Sequence, residues 1–94
     1  MANTLTAQEI REELARLQGW KRADQSILKD VELTDFDAAM RFVGKVADIA
    51  GREDHHPDID IRWNKVRLVL STHSAGGLTA KDFQVAALID DIAT

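Results

Sequence analysis

Apolar residues recur along this chain with two different spacings. From about Ala7 to Gln18 they fall at Ile10, Leu14 and Leu17, three or four apart, which lines one face of a helix. The same spacing returns from about Asp35 to Ala50, at Phe36, Ala39, Met40, Val43, Val46, Ala47 and Ala50, and again from about Ala80 to Ile92, at Phe83, Ala86, Ala87, Ile89 and Ile92. One phrase precedes all three: Leu5-Thr6 with Glu9, Leu33-Thr34 with Asp37, and Leu78-Thr79 with Asp82. Each Thr is expected to cap its helix and accept from the amide three residues on, each acid to reach back to the cap, and each Leu to staple to the fourth helical position. Gly19 and Gly51 stand where the first two helices should stop, available for a left-handed closing residue.

The other spacing is two. Trp20-Lys21-Arg22-Ala23 and Ser26 to Leu33 read as a strand pair turning near Asp24-Gln25. Further on, Ile59, Ile61 and Trp63 alternate with Asp58, Asp60, Arg62 and Asn64, and Val66, Leu68, Leu70 and Thr72 form a matching apolar row, so a second hairpin should turn near Asn64-Lys65. With a two-residue turn there, Trp63 faces Val66 and, carried to the far end, His56 faces His73 on one sheet face. Parity sends the apolar row toward the helices and puts His73, with Val69 and Ser71, on or at the rim of the opposite face. Arg62 then faces Arg67, an unfavourable like-charge pair that Asp58, Asp60 or a partner subunit would have to relieve. The order α-β-β-α-β-β-α predicts one α+β domain over 1–94, in two layers: a four-stranded antiparallel sheet with three helices on one face. Its other face and its edges would be open to a second subunit.

Composition narrows the role. The net charge is −4 and no basic run exceeds Lys21-Arg22, so nucleic acid is not an expected direct partner. No apolar run nears the length of a membrane span, and Met1-Ala2-Asn3-Thr4 lacks the features of a secretory signal. With no cysteine, a cytoplasmic location is expected. Gly76-Gly77 is followed by Leu78-Thr79 rather than by the lysine a phosphate loop requires.

What remains is histidine. All three, His55, His56 and His73, fall inside the second hairpin window. Imidazole changes charge near neutral pH, so clustered histidines suit acid and base catalysis. Three imidazoles with one open position could instead hold zinc, but no HExxH helix supports that, and no metal is expected. A purely structural reading has His55 and His56 capping a strand and His73 on the surface, with Asp82 explained by helix capping alone. Trp63 reads as a core or pocket-wall residue and Trp20 as core.

Taken together, Asp54-His55-His56-Pro57, Trp63-Asn64-Lys65-Val66, Leu70-Ser71-Thr72-His73, Gly77-Leu78-Thr79 and Asp82 resemble the pterin-4a-carbinolamine dehydratase family. The likeness covers the chain from about Trp20 to its end. It implies an enzyme, a hydro-lyase that removes water from a 4a-hydroxytetrahydropterin to give quinonoid dihydropterin, in tetrahydrobiopterin recycling after aromatic amino-acid hydroxylation, with no metal and no organic cofactor. On this resemblance His55, His56 and His73 are the catalytic set, His55 and His73 carrying protons and His56 holding substrate. Pro57, Trp63, Thr72, Ser74 and Ala75 would contact the pterin, with Glu53 and Asp82 as supporting residues. A homodimer or homotetramer is implied. The alternative is a non-catalytic dimerisation or regulatory binding protein of the same fold, against which retention of all three histidines argues. Two departures stand out: the acidic residue that members often carry four positions before the first histidine is Gly51 here, and the cysteine that some carry after the third is absent. Glu53 is expected to stand in for that acid.

Overall fold

A computed structural model describes residues 3–92 of the chain. Its elements are α1 (Ala7–Leu14), β1 (Trp20–Ala23), β2 (Ser26–Glu32), α2 (Phe36–Glu53), β3 (Asp58–Arg62), β4 (Lys65–Leu70) and α3 (Ala80–Ile92), with a 3-10 turn at His73–Ala75. The four strands form one antiparallel sheet in the order β1-β2-β4-β3. The core lies between the inner rows of the two central strands and the helices: Ile27, Val66, Leu68 and Leu70 meet Ala39, Phe42, Val46 and Ile49 of α2, Phe83, Val85, Ala86 and Ile89 of α3, and Ile10 of α1. The predicted α+β architecture and element order are therefore those of the folded chain.

The caps behave largely as their residue types require. Thr6 accepts from Glu9 N–H at 3.1 Å while Glu9 accepts from Thr6 N–H at 2.8 Å, the reciprocal pair expected of a capping box. At α2 the cap is Asp35 rather than Thr34; its carboxylate accepts from Ala38 N–H at 2.8 Å. Both residue types cap well, and moving the start by one leaves Thr34 outside the helix. α1 closes at Leu14, short of Gln18, and Gly19 takes the left-handed conformation ahead of β1.

Two expectations fail in α2. The helix does not stop at Gly51 but runs to Glu53, and Asp54 supplies the left-handed reversal. Its buried face is Ala39, Phe42, Val46, Ile49 and Ala50, whereas Phe36 and Met40 are 47% and 41% exposed and Ala47 is also exposed. The helix carries two apolar stripes, and the sheet buries the one that contains Phe42 and Ile49.

The second hairpin turns at Trp63-Asn64, two residues' worth of pairing away from the expected register: Arg62 pairs with Lys65, Ile61 with Val66, Ile59 with Leu68 and Asp58 with Val69. His56 is consequently not opposite His73; ladder pairing begins at Asp58. A slip of two preserves which face each residue occupies, so the apolar pattern cannot select between the registers. Charge can. Arg67 now lies between Asp60 on β3 and Asp30 on β2, and its guanidinium reaches both Asp30 oxygens, at 2.7 and 3.0 Å. That guanidinium holds the Asp30 carboxyl below its ordinary value. The like-charge Arg62/Arg67 pairing gives way to Arg62 opposite Lys65 at the turn end, where Asp60 lies 3.5 Å from the Arg62 guanidinium. Asn64 adds to the choice by donating to Leu33 C=O at 3.0 Å, which ties the turn to the loop after β2. Trp63, far from being core, occupies the left-handed first position of the turn and is 65% exposed. Because β3 is an edge strand, its Ile59 is also poorly covered.

A polar clasp closes the other side of the fold. The Asp90 carboxylate on α3 accepts from Trp20 Nε1 at 2.8 Å, Lys29 Nζ at 2.7 Å and Gln18 N–H at 2.9 Å. It is only 12% exposed and ties the C-terminal end of α3 to β1, β2 and the turn after α1. Removing the carboxylate leaves the largely buried Trp20 and Lys29 donors without their partner. Asp90→Ala should lower stability by about 2 to 3 kcal/mol, read as an earlier urea midpoint at unchanged slope; an unshifted midpoint would show the clasp to be dispensable.

Candidate active site

The end of α2 positions the first histidine. Asp54 is left-handed (φ 51°), and the chain reverses so that both Asp54 N–H and His55 N–H close onto Ala50 C=O, His55 at 3.1 Å. His55 is thereby turned back toward the first turn of α3. Its Nε2 lies 2.6 Å from Asp82 Oδ1. The ring is half-buried, with 13% of the side chain exposed, and Asp82 is fully buried.

Asp82 is the centre of the arrangement. Its Oδ2 accepts from the Thr72 hydroxyl at 2.7 Å and from Thr79 N–H at 2.9 Å, while the Thr72 and Thr79 hydroxyls lie 2.9 Å apart. The Thr79–Asp82 pair is half of the expected capping box, with Thr79 Oγ1 accepting from Lys81 N–H at 3.3 Å rather than from Asp82. Capping explains one bond to this carboxylate; the imidazole and the second hydroxyl lie outside it.

The third histidine is carried by a pinned loop. Past β4, Thr72 pairs backbone to backbone with Gly77, N–H to C=O at 3.0 Å and 3.3 Å in the two directions. Between them His73-Ser74-Ala75 make the 3-10 turn, and Gly76 provides its left-handed exit (φ 76°). His56 precedes β3 and His73 follows β4, so both are exposed at the same end of the hairpin as His55. Pro57 and Ala75 are half-buried there and Ser74 is exposed. Thr72 is buried, with its hydroxyl directed at Asp82 rather than outward. Trp63 stands at the opposite end of the hairpin, on the order of 20 Å away by strand rise, so the fold does not bring it to the histidines of its own chain.

Glu53 does not face His55; its carboxylate accepts from Lys81 Nζ at 3.2 Å. The carboxylate that His55 does meet is Asp82. Two concavities lie elsewhere. One of about 660 Å³ sits among Asp30, Glu32, Asp60, Arg62, Lys65 and Arg67, and one of about 430 Å³ lies between α1 and α3; neither includes a histidine. Around the first concavity Arg67 faces Asp30 and Asp60 and Lys65 faces Glu32, while Arg62 and Lys65 face each other as a like-charge pair. Among the described residues no group of three or more His, Cys, Asp or Glu is placed to hold a metal ion.

An imidazole braced by a buried carboxylate, with two further imidazoles exposed at the same end of a hairpin, is an arrangement whose chemistry suits giving and taking protons. Residues 3–92 match the family described as Pterin 4 alpha carbinolamine dehydratase. A protein of Roseiflexus castenholzii is 54% identical over 92 residues, covering 98% of this chain and 99% of its own, and one of Acidobacterium capsulatum is 55% identical over 86 residues, covering 92% and 94%; both are named, provisionally, as pterin-4-alpha-carbinolamine dehydratases. The crystal structure of a transcriptional coactivator/pterin dehydratase from Brucella melitensis superposes with a TM-score of 0.94 at 35% identity, over 98% of this chain and 100% of that one. A pterin dehydratase-like protein described as a RuBisCO assembly factor of the alpha-carboxysome shares the fold alone, at a TM-score of 0.68 and 18% identity over 81% of this chain and 90% of its own. The chain belongs to the pterin 4 alpha carbinolamine dehydratase family, whose activity is that of a hydro-lyase.

Asp82→Asn tests the anchor directly. An amide presents one acceptor and one donor where the carboxylate accepts on both sides, so either His55 or the Thr72/Thr79 pair must face an NH₂ group. Stability should fall by about 1 to 3 kcal/mol, and the His55 ring resonances should shift or split; a variant with neither change would contradict the anchoring role.

Proposed function

We propose that this protein dehydrates a 4a-hydroxytetrahydropterin by histidine acid–base catalysis, in tetrahydrobiopterin recycling alongside aromatic amino-acid hydroxylation in the cytoplasm. The observation that carries the reading is the His55–Asp82 pair at the hairpin end that also bears His56 and His73, in a chain of this family. The reaction breaks the C4a–O bond. One group must give a proton to the departing hydroxyl, which leaves as water, while another takes a proton from a neighbouring ring nitrogen whose electron pair forms the new double bond. Proton given and proton taken balance, so the step needs neither redox partner nor metal. His55 and His73 are read as the proton carriers, and His56 as a group that holds the substrate, with Pro57, Ser74 and Ala75 beside it. The purified protein should accelerate dehydration of the carbinolamine. His73→Ala should cut kcat/KM at least tenfold, about 1.4 kcal/mol of transition-state stabilisation, and a chelator should leave turnover unchanged. Full activity in His73→Ala would remove that residue from the mechanism, and loss with chelator would point to a metal.

A self-association reading accompanies the catalytic one. Phe36, Met40 and Ala47 form an exposed apolar stripe along α2, with half-buried Val43 between them. In a domain this small, such a stripe supports a homodimer or homotetramer, and it is equally the feature that would serve a regulatory binding partner. Light scattering should give a multiple of the 10.5 kDa chain mass, and Met40→Glu should reduce it. A monomeric wild-type protein would leave the stripe to a different partner.

A further inference from the structure

The hydroxyls of Thr72 and Thr79 form a hydrogen-bond chain whose direction follows from counting protons. Each hydroxyl owns one. Thr79 Oγ1 accepts from Lys81 N–H at 3.3 Å and lies 2.9 Å from Thr72 Oγ1, which lies 2.7 Å from Asp82 Oδ2. As a carboxylate, Asp82 has nothing to donate, so the Thr72 proton goes to Asp82 and the Thr79 proton goes to Thr72. Oδ2 also receives Thr79 N–H at 2.9 Å. Oδ1 is left for His55, again as an acceptor, so the proton in the 2.6 Å bond sits on Nε2. In the neutral ring the lone pair is then on Nδ1, because the hydrogen bond made by one ring nitrogen determines the state of the other. Nδ1 has no hydrogen-bond partner among the described residues, and no buried polar side-chain atom among them lacks one, so Nδ1 is open to solvent.

We propose that Thr72 and Thr79 are positioning residues for the dehydration: by occupying Asp82 they lock His55 as its Nε2–H tautomer and leave Nδ1 as the atom that exchanges a proton with the substrate. The substrate part of this statement rests on the dehydratase reading. Thr72 does a second job through its backbone. Its pairing with Gly77 closes the loop that carries His73, so one buried residue orients the ring of one proton carrier and anchors the loop of the other. The hydroxyl therefore works from behind the site rather than against the pterin.

The tautomer can be read without any pterin. In histidine-labelled protein, at a pH where the ring is neutral, long-range proton–nitrogen spectra should show His55 as Nε2–H. Thr72→Val, which keeps the shape and removes the hydroxyl that holds Oδ2, should free the carboxylate to turn off the ring and so mix in the other tautomer. It should also lower kcat about tenfold with KM changed by less than about twofold, and Thr72→Ser should restore both. Nδ1–H in the wild-type protein would overturn the assignment, and needs no variant to be folded. So would an Nε2–H signal and kcat both unaffected by Thr72→Val. A tautomer that follows Thr72 in a protein that does not speed dehydration would uphold the hydrogen-bond assignment and overturn the dehydratase reading instead.

Discussion

A carboxylate with no access to water has to be satisfied by the chain itself, and Asp82 is such a carboxylate, fully buried and bonded on both oxygens. Taking an ion of this kind out of water costs several kcal/mol unless donors replace the solvent. The donors here come from three separate places: His55 from the reversal after α2, Thr72 from the chain beyond β4, and Thr79 from the start of α3. Satisfying one charge therefore draws together the segments that carry all three histidines. The lone Asp90 clasp does the same structural job on the other side of the fold, with Trp20 and Lys29 as donors, but it gathers no imidazole and carries no evident chemistry. What distinguishes the Asp82 end is that one of its donors has a second nitrogen facing outward.

Much of this was legible in the chain, in ways that follow from what each pattern encodes. Helix starts rest on local hydrogen bonding, so the Thr6–Glu9 box could be read directly, and α3 runs over the expected Ala80–Ile92. Which face a helix buries is not local. On α2 one apolar stripe runs through Phe36, Met40 and Ala47 and another through Ala39, Phe42, Val46 and Ile49, and helical spacing alone cannot say which one meets the sheet. Hairpin register was ambiguous for a related reason, since a slip of two leaves every residue on its own face. The charges held the answer: only the observed register sets Arg67 between Asp60 and Asp30. Asp82 was visible, but as a capping residue, and a role that accounts for the spacing conceals a second one that only tertiary structure reveals.

The two concavities and the three histidines lie in different places. The sheet concavity is bordered by charges partly paired across the strands, Arg67 beside Asp30 and Asp60 and Glu32 beside Lys65, with Arg62 and Lys65 facing each other as a like-charge pair. The histidine end borders neither concavity but holds imidazoles, which can take up or release a proton near neutral pH. Proton transfer is limited by the placement of donors and acceptors, and in the proposed reaction that placement comes from buried Asp82, Thr72 and Thr79 beneath the exposed His56 and His73.

The most direct test of this account is where a pterin binds. In crystals soaked with a dihydropterin, the bicyclic ring should lie within hydrogen-bonding reach of His55 Nδ1, between His56 and the His73 turn, with Asp82 beneath. Density for the ring over the Asp30, Glu32 and Arg67 concavity, with the histidine end vacant, would contradict it.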